Sequence, residues 1–418
     1  MRHEPTGPGG AGSISYEPHG EIGLLRDPRA WALLLAGMLT VMSNSTIAPA
    51  LPGIEAMFRD TPNADLLTRL LVTAPSLMVA LAASFAGYAA DRFGRRNQLL
   101  VAAIVFAIAG TAGLYLPSLE SILASRLLLG VAVAAIMTSQ SALIGDYYTG
   151  IARARLMGYQ VAMMNFAGFF FVMSAGGLAG ISAVLPFGIY AISLPLLPLF
   201  FFVIKEPKHR AMHQAVALPG DEGQAGWKFF VGALSALIFV SFVLFYIVPT
   251  QIPFYLFEIG YTDATAGGWV LGGMMLSCAI FAVAFDRVRP VLGRGGTPAL
   301  GYAMMAGGFA MFYLFHALPV LILAAALTGG AFGLMMPTFF TACLNAAPAR
   351  LRGTAMGVFT TCMFFGQFAS PLASQPVIAN IGYENTFLLI AVSLGVIAVG
   401  VFFGLQERAT SAIAQPAE

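Results

Sequence analysis

The sequence predicts an all-α membrane protein in which twelve transmembrane helices form two six-helix, pseudo-symmetric bundles. Its 418 residues are 58% hydrophobic and only 10% charged, whereas soluble domains carry about a quarter charged residues. Apolar runs of about 20 residues, long enough to cross a bilayer, recur along the chain between short polar breaks. Residues of the first half also reappear at a regular spacing in the second half, which indicates a duplicated bundle.

The apolar runs divide into six predicted spans before a polar stretch and six after it. The predicted spans are residues 31–57, 66–90, 98–116, 119–147, 156–181, 183–204, 227–257, 264–285, 297–315, 320–346, 354–378 and 386–405. The predicted organisation is a cytoplasmic N-terminal tail (1–29), a first bundle (30–204), a cytoplasmic linker (205–226), a second bundle (227–405) and a cytoplasmic C-terminal tail (406–418).

The repeat is visible in single residues. Asp91 recurs as Asp286, 195 positions later, and Gly130 recurs as Gly329 at an offset of 199. This spacing predicts two parallel copies of a six-helix unit joined by the polar linker.

Positive charge predicts the orientation. Of 21 Lys and Arg residues, Arg59 lies in a predicted outer loop, and Arg69 and Arg126 lie within spans. The others fall in the tails, the linker and alternate loops or, in the case of Lys228, at the adjoining end of a span, all on one side if the spans alternate. Because Lys and Arg are enriched in cytoplasmic loops, we expect a multi-pass protein of the cytoplasmic (inner) membrane with both termini in the cytoplasm.

The loop between the second and third spans carries the most informative motif. Residues 87–96 read Gly-Tyr-Ala-Ala-Asp-Arg-Phe-Gly-Arg-Arg. The pattern Gly-x-x-x-Asp-Arg-x-Gly-Arg-Arg after a second span resembles the signature loop of the major facilitator superfamily of secondary transporters. The resemblance covers residues 31–405. It implies two bundles that rock about a substrate cavity near the membrane midplane.

The resemblance assigns a gating role to this loop. It implies that Asp91, Arg95 and Asp146 form a charge cluster that locks the halves at the cytoplasmic side by meeting the eleventh helix around residues 353–354. Gly87 is expected where two helices approach closely. The alternative is that the charges only fix topology. The predicted gating residues are Gly87, Asp91, Arg92, Gly94, Arg95 and Asp146.

Arg126 opens the stretch Arg-Leu-Leu-Leu-Gly, which looks like the fourth-helix motif of the same family. A buried Arg costs about 2.5–3.5 kcal/mol on insertion scales and seldom faces lipid. Val133, Met137 and Gln140 share its helical face, so the sequence predicts that this stripe faces the cavity. The resemblance associates this Arg with proton coupling or with packing of polar groups, and both roles stay open.

Polar residues within the spans are candidate substrate contacts. Arg69 lies near the outer surface, where it either contacts substrate or pairs with Asp65 one turn earlier. Each amide candidate alternatively satisfies backbone carbonyls freed by nearby prolines. The predicted substrate-binding residues are Asn44, Thr46, Arg69, Gln140, Asn165, Tyr246, Gln251 and Gln367.

The acidic residues predict the chemistry of the cargo. All nineteen Asp and Glu residues map to tails, loops or span ends, so no carboxylate is expected at the midplane. A permanent cation would lack a partner there, so neutral, zwitterionic or anionic cargo is expected. Ser-Ala-Gly-Gly at residues 174–177 partly matches the fifth-helix signature of the family's exporters, without its proline, and favours export.

Together these features predict a proton-coupled efflux antiporter for a small lipophilic compound. Paired Met and Phe residues favour a multidrug type, because flexible side chains repack around varied ligands. The alternatives are an uptake or uniport carrier for an organic anion or metabolite, in which Arg69 and Arg126 neutralise the cargo, and a membrane sensor or scaffold.

The remaining expectations concern what the protein binds. The sequence contains no ATP-binding loop, hydrolase motif or metal-ligand cluster, so no enzyme activity, cofactor or metal is expected. The expected partners are a small-molecule substrate, protons and the lipid bilayer, without nucleic acid, and the expected state is a monomer. Candidate proton sites are Glu55, Asp91, Asp146, Glu258 and His316.

Overall fold

The computed structural model describes Leu24, residues 26–207 and residues 226–413. Most of the predicted N-terminal tail, most of the predicted linker and the end of the C-terminal tail lie outside these residues. The described part is helical and contains no β-strand. The predicted fold class is therefore confirmed.

Twelve helices follow one another in the described residues. Ten stretches of the described residues are long and apolar enough to cross a membrane. A bend at Gly293 separates the stretch that ends there from a further helix at 294–314, and a bend at Gly382 divides the last stretch into two helices. The helices are α1 (Pro28–Met57), α2 (Ala64–Phe93), α3 (Arg95–Leu114), α4 (Leu119–Tyr147), α5 (Gly150–Ile181), α6 (Leu185–Val203), α7 (Trp227–Glu258), α8 (Ala264–Gly293), α9 (294–314), α10 (Leu318–Ala346), α11 (352–381) and α12 (383–413).

Some helices are longer than the apolar pattern predicts. α5 begins at Gly150, so Arg153 is helical rather than in a loop, and α8 continues to Gly293, so Asp286 is helical as well. A charged residue does not by itself end a helix where the chain passes from hydrocarbon into water. α8 ends instead at Gly293, because the φ of 71° at this residue is a left-handed conformation that favours glycine.

The duplication predicted from the sequence appears in the geometry. Gly94, with φ 95°, ends α2, and Gly293 ends α8 in the same way 199 positions later. A methyl group on Gly130 would overlap the main chain of α2, and one on Gly329 would overlap the main chain of α8. Each glycine thus lets the fourth helix of its half press against the second.

The two halves meet along two pairs of helices. α5 packs against α8, where a Cβ on Gly176 would lie 2.9 Å from the Cα of Gly268. α2 packs against α11. We call the end of the bundle around Asp91 and Arg95, where α2 meets α3, the loop end. The opposite end, where α1 meets α2 around residues 58–63, is the far end.

Two helices are interrupted near their middle, and both interruptions lie beside the space between the halves. α1 runs as an α-helix over Pro28–Ser45, turns into a 3-10 helix at Ala48–Ala50 and resumes at Leu51–Met57. α7 joins Trp227–Phe245 to Ile247–Glu258 at Tyr246. The prolines of these segments lack the N–H that a regular helix requires, which accounts for the breaks.

Candidate functional site

A cavity of about 290 Å³ lies between the two halves. Its wall comes from α1, α2, α4 and α5 on one side and from α7, α8, α10 and α11 on the other. Five methionines and four phenylalanines provide most of the surface, and no charged side chain belongs to the part of the wall that the structure describes. The cavity is thus apolar, neutral and shared by both halves.

Three polar side chains meet in this wall. The Tyr246 hydroxyl faces the side-chain amides of Asn44 and Gln367. Gln367 is 1% exposed, and its Nε2 has no hydrogen-bond partner among the described residues. Asn44 and Tyr246 stand at the interruptions of α1 and α7, which brings them to the interface. The trio therefore offers hydrogen-bonding groups in an otherwise apolar space.

Asn165 also lines the cavity, whereas Thr46 does not. The Asn165 Nδ2 donates to the carbonyl of Val161 at 2.9 Å, which leaves its Oδ1 available as an acceptor. The Thr46 hydroxyl donates to the carbonyl of Met42 at 2.7 Å and is fully buried. Thr46 therefore provides a hydrogen bond to a main-chain carbonyl where α1 is interrupted.

Gln140 joins two helices instead of lining the cavity. Its Nε2 donates to the Leu33 carbonyl of α1 at 2.5 Å, and a Cβ on Gly37 would lie only 2.6 Å from the same atom. Gln140 is buried between α1 and α4. The structure therefore places this predicted contact one layer behind the cavity wall.

Arg69 and Gln251 lie together at the far end. The Arg69 Nε donates to Gln251 Oε1 at 2.9 Å, and Arg69 Nη1 pairs with Glu55 Oε2 at 2.9 Å. The sequence suggested the Asp65 carboxylate as the partner of Arg69. The structure corrects this, because Asp65 offers only its main-chain carbonyl to Arg69 and turns its carboxylate towards Gln375.

The charge cluster predicted for the loop end is assembled. Arg95 forms an ion pair with the buried Asp146 and a second one with the exposed Asp91, whose Oδ1 lies 3.2 Å from Arg95 Nη2. Residues 353–354 at the start of α11 are exposed, and no described hydrogen bond or ion pair joins them to the cluster. In this conformation, the described ion pairs of these three side chains stay within the first half.

Two further residues of the signature loop, Arg92 and Gly87, lie in different surroundings. Arg92 reaches the Tyr88 hydroxyl at 3.4 Å and is exposed. Gly87 was expected where helices approach closely, but a Cβ there would meet nothing within 4 Å. This expectation is wrong for the present conformation, because no described residue packs against the position that a Cβ of Gly87 would occupy.

Glu206 was not found by sequence reasoning. Its carboxylate oxygens accept the main-chain N–H groups of Arg95 and Arg96, each at 2.9 Å, and so cap the start of α3. A Cβ on Gly94 would lie 3.1 Å from this carboxylate. Glu206 follows α6, far from α3 in the chain, and only the packing of α6 beside α3 reveals the contact.

Arg126 does not face the cavity, which corrects the prediction from its helical face. Its guanidinium lies 4.7 Å from the ring centres of both Phe187 and Tyr190, and Nη2 donates to the Gly110 carbonyl at 2.8 Å. Val133 lines the cavity, but Arg126 is about two turns nearer the far end. Its long side chain there reaches α3 and α6.

Comparison with known proteins identifies the family. The family model described as Major Facilitator Superfamily matches residues 33–371, most of the chain. The chain belongs to the Major Facilitator Superfamily. Its family and fold are those of transporters, and it is a multi-pass integral membrane protein.

The names of the relatives refer to different kinds of compound. The chain is 24% identical to Multidrug resistance protein 1 of Bacillus subtilis (strain 168), over 82% of this chain and 91% of the relative. It is 26% identical to the Major myo-inositol transporter IolT of the same bacterium, over 81% and 83%. The solved xylose transporter XylE from E. coli shares the fold, with a TM-score of 0.72, 17% identity and coverage of 90% and 95%.

Proposed function

We propose that this superfamily member exports a small lipophilic compound, neutral or anionic, by alternating access in exchange for protons. One observation carries the proposal. The cavity between the halves is lined by Met and Phe side chains, lacks charged groups in its described wall and holds the trio of Asn44, Tyr246 and Gln367. An apolar body with one or two hydrogen-bonding groups complements this wall.

The same wall argues against two other cargo classes. A polyol such as myo-inositol would bury several hydroxyl groups against Met and Phe, and each unpaired polar group costs about 1–3 kcal/mol. A permanent cation would leave water without meeting a carboxylate. A lipophilic ligand avoids both costs. Its carbonyl or ether oxygen would also satisfy the unpaired Gln367 Nε2.

We propose that the protein lies in a bacterial-type inner membrane and that its loop end faces the cytoplasm, as the distribution of Lys and Arg indicates. We also propose that Asp91, Arg95 and Asp146, supported by Gly94 and the Glu206 cap, hold α11 when the loop end closes. The assembled cluster supports this, because its charges are already arranged at the end of the bundle where α11 begins with exposed residues.

The second candidate is an uptake or uniport carrier for an organic anion or metabolite. The extended similarity to the myo-inositol transporter favours it. Arg69 and Arg126 were the groups expected to neutralise an anionic cargo. They do not line the central cavity, and so the described wall gives this candidate less support than the lipophilic one.

A transport assay in proteoliposomes tests the proposal. We would compare chloramphenicol as a neutral compound, benzoate as an anion, tetraphenylphosphonium as a cation and myo-inositol as a polyol, with an internal pH dye. The expected result is that chloramphenicol moves with proton flux in the opposite direction. Preferred transport of tetraphenylphosphonium or myo-inositol would refute the cargo class, and transport without proton movement would support uniport.

Two variants test the polar trio. Tyr246→Phe and Gln367→Leu each remove one hydrogen bond to the cargo, so KM should rise about 5-fold to 30-fold, which corresponds to about 1–2 kcal/mol. Ser393→Ala is the matched control, because its hydroxyl lies on the exposed surface of α12 and bonds to its own helix. An unchanged KM in both trio variants would show that the cargo binds elsewhere.

A further inference from the structure

Polar side chains close the far end by joining the two halves. From α2, Arg69 donates to Gln251 of α7 at 2.9 Å and to the Tyr383 hydroxyl of α12 at 3.4 Å. The Asp65 carboxylate of α2 accepts from Gln375 Nε2 of α11 at 3.1 Å. All three bonds cross between halves, so the far end cannot open while they persist. We call Glu55, Asp65, Arg69, Gln251, Gln375 and Tyr383 the far-end latch.

The far-end latch depends on the positive charge of Arg69 being compensated by the negative charge of Glu55. Arg69 is 4% exposed, and Glu55 is the one carboxylate within ion-pair distance of it among the described residues. The other groups around the guanidinium are neutral: the Asp65 carbonyl, the two acceptors in the second half and the Phe254 ring, 3.7 Å away. Without the negative charge of Glu55, Arg69 would be a buried cation with no counter-charge, which is strongly unfavourable.

Glu55 is also accessible to the solvent of the far end. Its side chain is 32% exposed, in contrast to that of Arg69. A proton can therefore reach this carboxylate from the far side without passing through the central cavity. This position exposes the Glu55 carboxylate to the water of that compartment.

We propose that the far-end latch is operated by a proton that binds Glu55 from the far side. In the closed state, ionised Glu55 holds Arg69 against Gln251 and Tyr383. Protonation removes the charge that compensates Arg69, and the guanidinium then leaves these partners for water, which opens the far end. The inference rests on the proposed alternating access, and it assigns the control of one gate.

Other titratable groups surround Glu55 and belong in the same test. Arg69 contacts it from α2, and Asp65 shares the same Arg69 nitrogen through its main-chain carbonyl. Glu258 on α7 and Glu55 both act electrostatically on Tyr383 of α12. A second pair of titratable groups lies at the same end, where His316 Nε2 is 3.0 Å from Glu384 Oε1 and both side chains are more than half exposed. This second pair makes no described bond to Arg69.

The test measures the width of the far end in the full-length protein without any cargo. Spin labels are placed at Pro62→Cys and Thr262→Cys, two exposed positions in opposite halves, after replacement of the native cysteines, which are Cys278, Cys343 and Cys362. Electron–electron distances are recorded in lipid nanodiscs in steps from about pH 7.5 down to about pH 3.5, below the ordinary Glu pKa of about 4.3, because the neighbouring Arg69 favours the ionised carboxylate. No substrate is needed, so an error in the proposed cargo does not affect the result.

The expected result is a short distance at neutral pH and a longer one in acid. Glu55→Gln should populate the longer distance at neutral pH, raising the open-to-closed ratio about tenfold, and should abolish the response to acid. Glu384→Gln is the matched control and should keep the wild-type response. Size-exclusion chromatography and the melting temperature verify that each variant is folded.

Three outcomes would overturn the proposal. The first is a wild-type distance that does not change with pH, which requires no variant at all. The second is a Glu55→Gln protein that stays closed and still responds to acid. The third is loss of the response in Asp65→Asn or Glu384→Gln but not in Glu55→Gln, which would place the proton on another group.

Discussion

Three arginines in the spans differ in how their charge is compensated. Arg95 has two carboxylates, Arg69 has one, and Arg126 has none among the described residues but lies between two aromatic rings. Aromatic faces attract cations by about 0.5–2 kcal/mol, whereas removing one partner of a buried ion pair costs about 3–5 kcal/mol. The three residues should therefore respond differently when their surroundings are changed.

The two carboxylates of the loop-end cluster should contribute unequally to stability. Asp146 is 1% exposed and Asp91 is 63% exposed, so Asp146→Asn leaves Arg95 without its buried partner while Asp91→Asn removes only a surface pair. We expect losses of about 3–5 kcal/mol for Asp146→Asn and below about 1 kcal/mol for Asp91→Asn. Equilibrium unfolding in mixed detergent measures both. Equal losses would contradict the difference in burial.

Arg126 should tolerate an apolar side chain of similar length. Arg126→Met fills the space between the rings of Phe187 and Tyr190 and removes a buried charge, so stability should change by less than about 1.5 kcal/mol. Arg126→Ala leaves a cavity and should cost about 2–5 kcal/mol. Thermal unfolding compares the variants. Proton flux in Arg126→Met then tests coupling, since loss of flux in a stable protein would support the coupling role.

At the level of helices, small residues set how closely the elements approach. Gly130 and Gly329 allow the fourth helix of each half to contact the main chain of the second, and Gly176 and Gly268 bring α5 and α8 together between the halves. In a bilayer such contacts replace the hydrophobic effect as a source of helix association. The Glu206 cap adds two hydrogen bonds that tie the end of the first half to the start of α3.

Substitution of these glycines tests the packing directly. Gly130→Ala and Gly329→Ala place a methyl group against a helix backbone that cannot yield easily, so each should cost about 1–3 kcal/mol. Gly177→Ala is the control, because a Cβ there meets nothing within 4 Å, and it should be neutral or stabilising by up to about 1 kcal/mol. Melting temperatures provide the comparison. Similar effects at all three positions would argue against close packing at Gly130 and Gly329.

At the scale of the whole molecule, the structure represents one conformation, in which the far end is closed and the start of α11 is exposed. Bonds between halves are concentrated at the far end, while the loop-end cluster remains within the first half. Transport by alternating access requires the opposite arrangement at another stage of the cycle. The balance between the two conformations is the property that gate variants should change.

Asp91→Asn separates a carrier from a sensor or scaffold with the same fold. Because Asp91 is largely exposed, the variant should fold normally. If Asp91 helps to close the loop end, chloramphenicol transport should fall by at least about tenfold, equivalent to about 1.4 kcal/mol in the gate equilibrium. Flux in proteoliposomes and the melting temperature are measured together. A folded variant with full transport would remove Asp91 from the gate.

Much of the architecture follows from the chain alone. The apolar runs, the twelve helices and the repeated glycines at an offset of 199 were predictable, because lipid requires each span to be apolar and helical whatever its neighbours. Asn44, Tyr246 and Gln367, which the sequence marks as polar residues within spans, lie in the cavity wall. Their role in binding cargo stays a prediction.

What the tertiary structure decided is which polar groups meet. Glu206 caps a helix that begins 111 positions earlier, Tyr383 contacts Arg69 across 314 positions, and Arg126 turns away from the cavity towards α3 and α6. Periodicity shows the face of a helix but not the direction taken by a long side chain. It also cannot identify a partner on another helix, because such pairings depend on how the helices are arranged around one another.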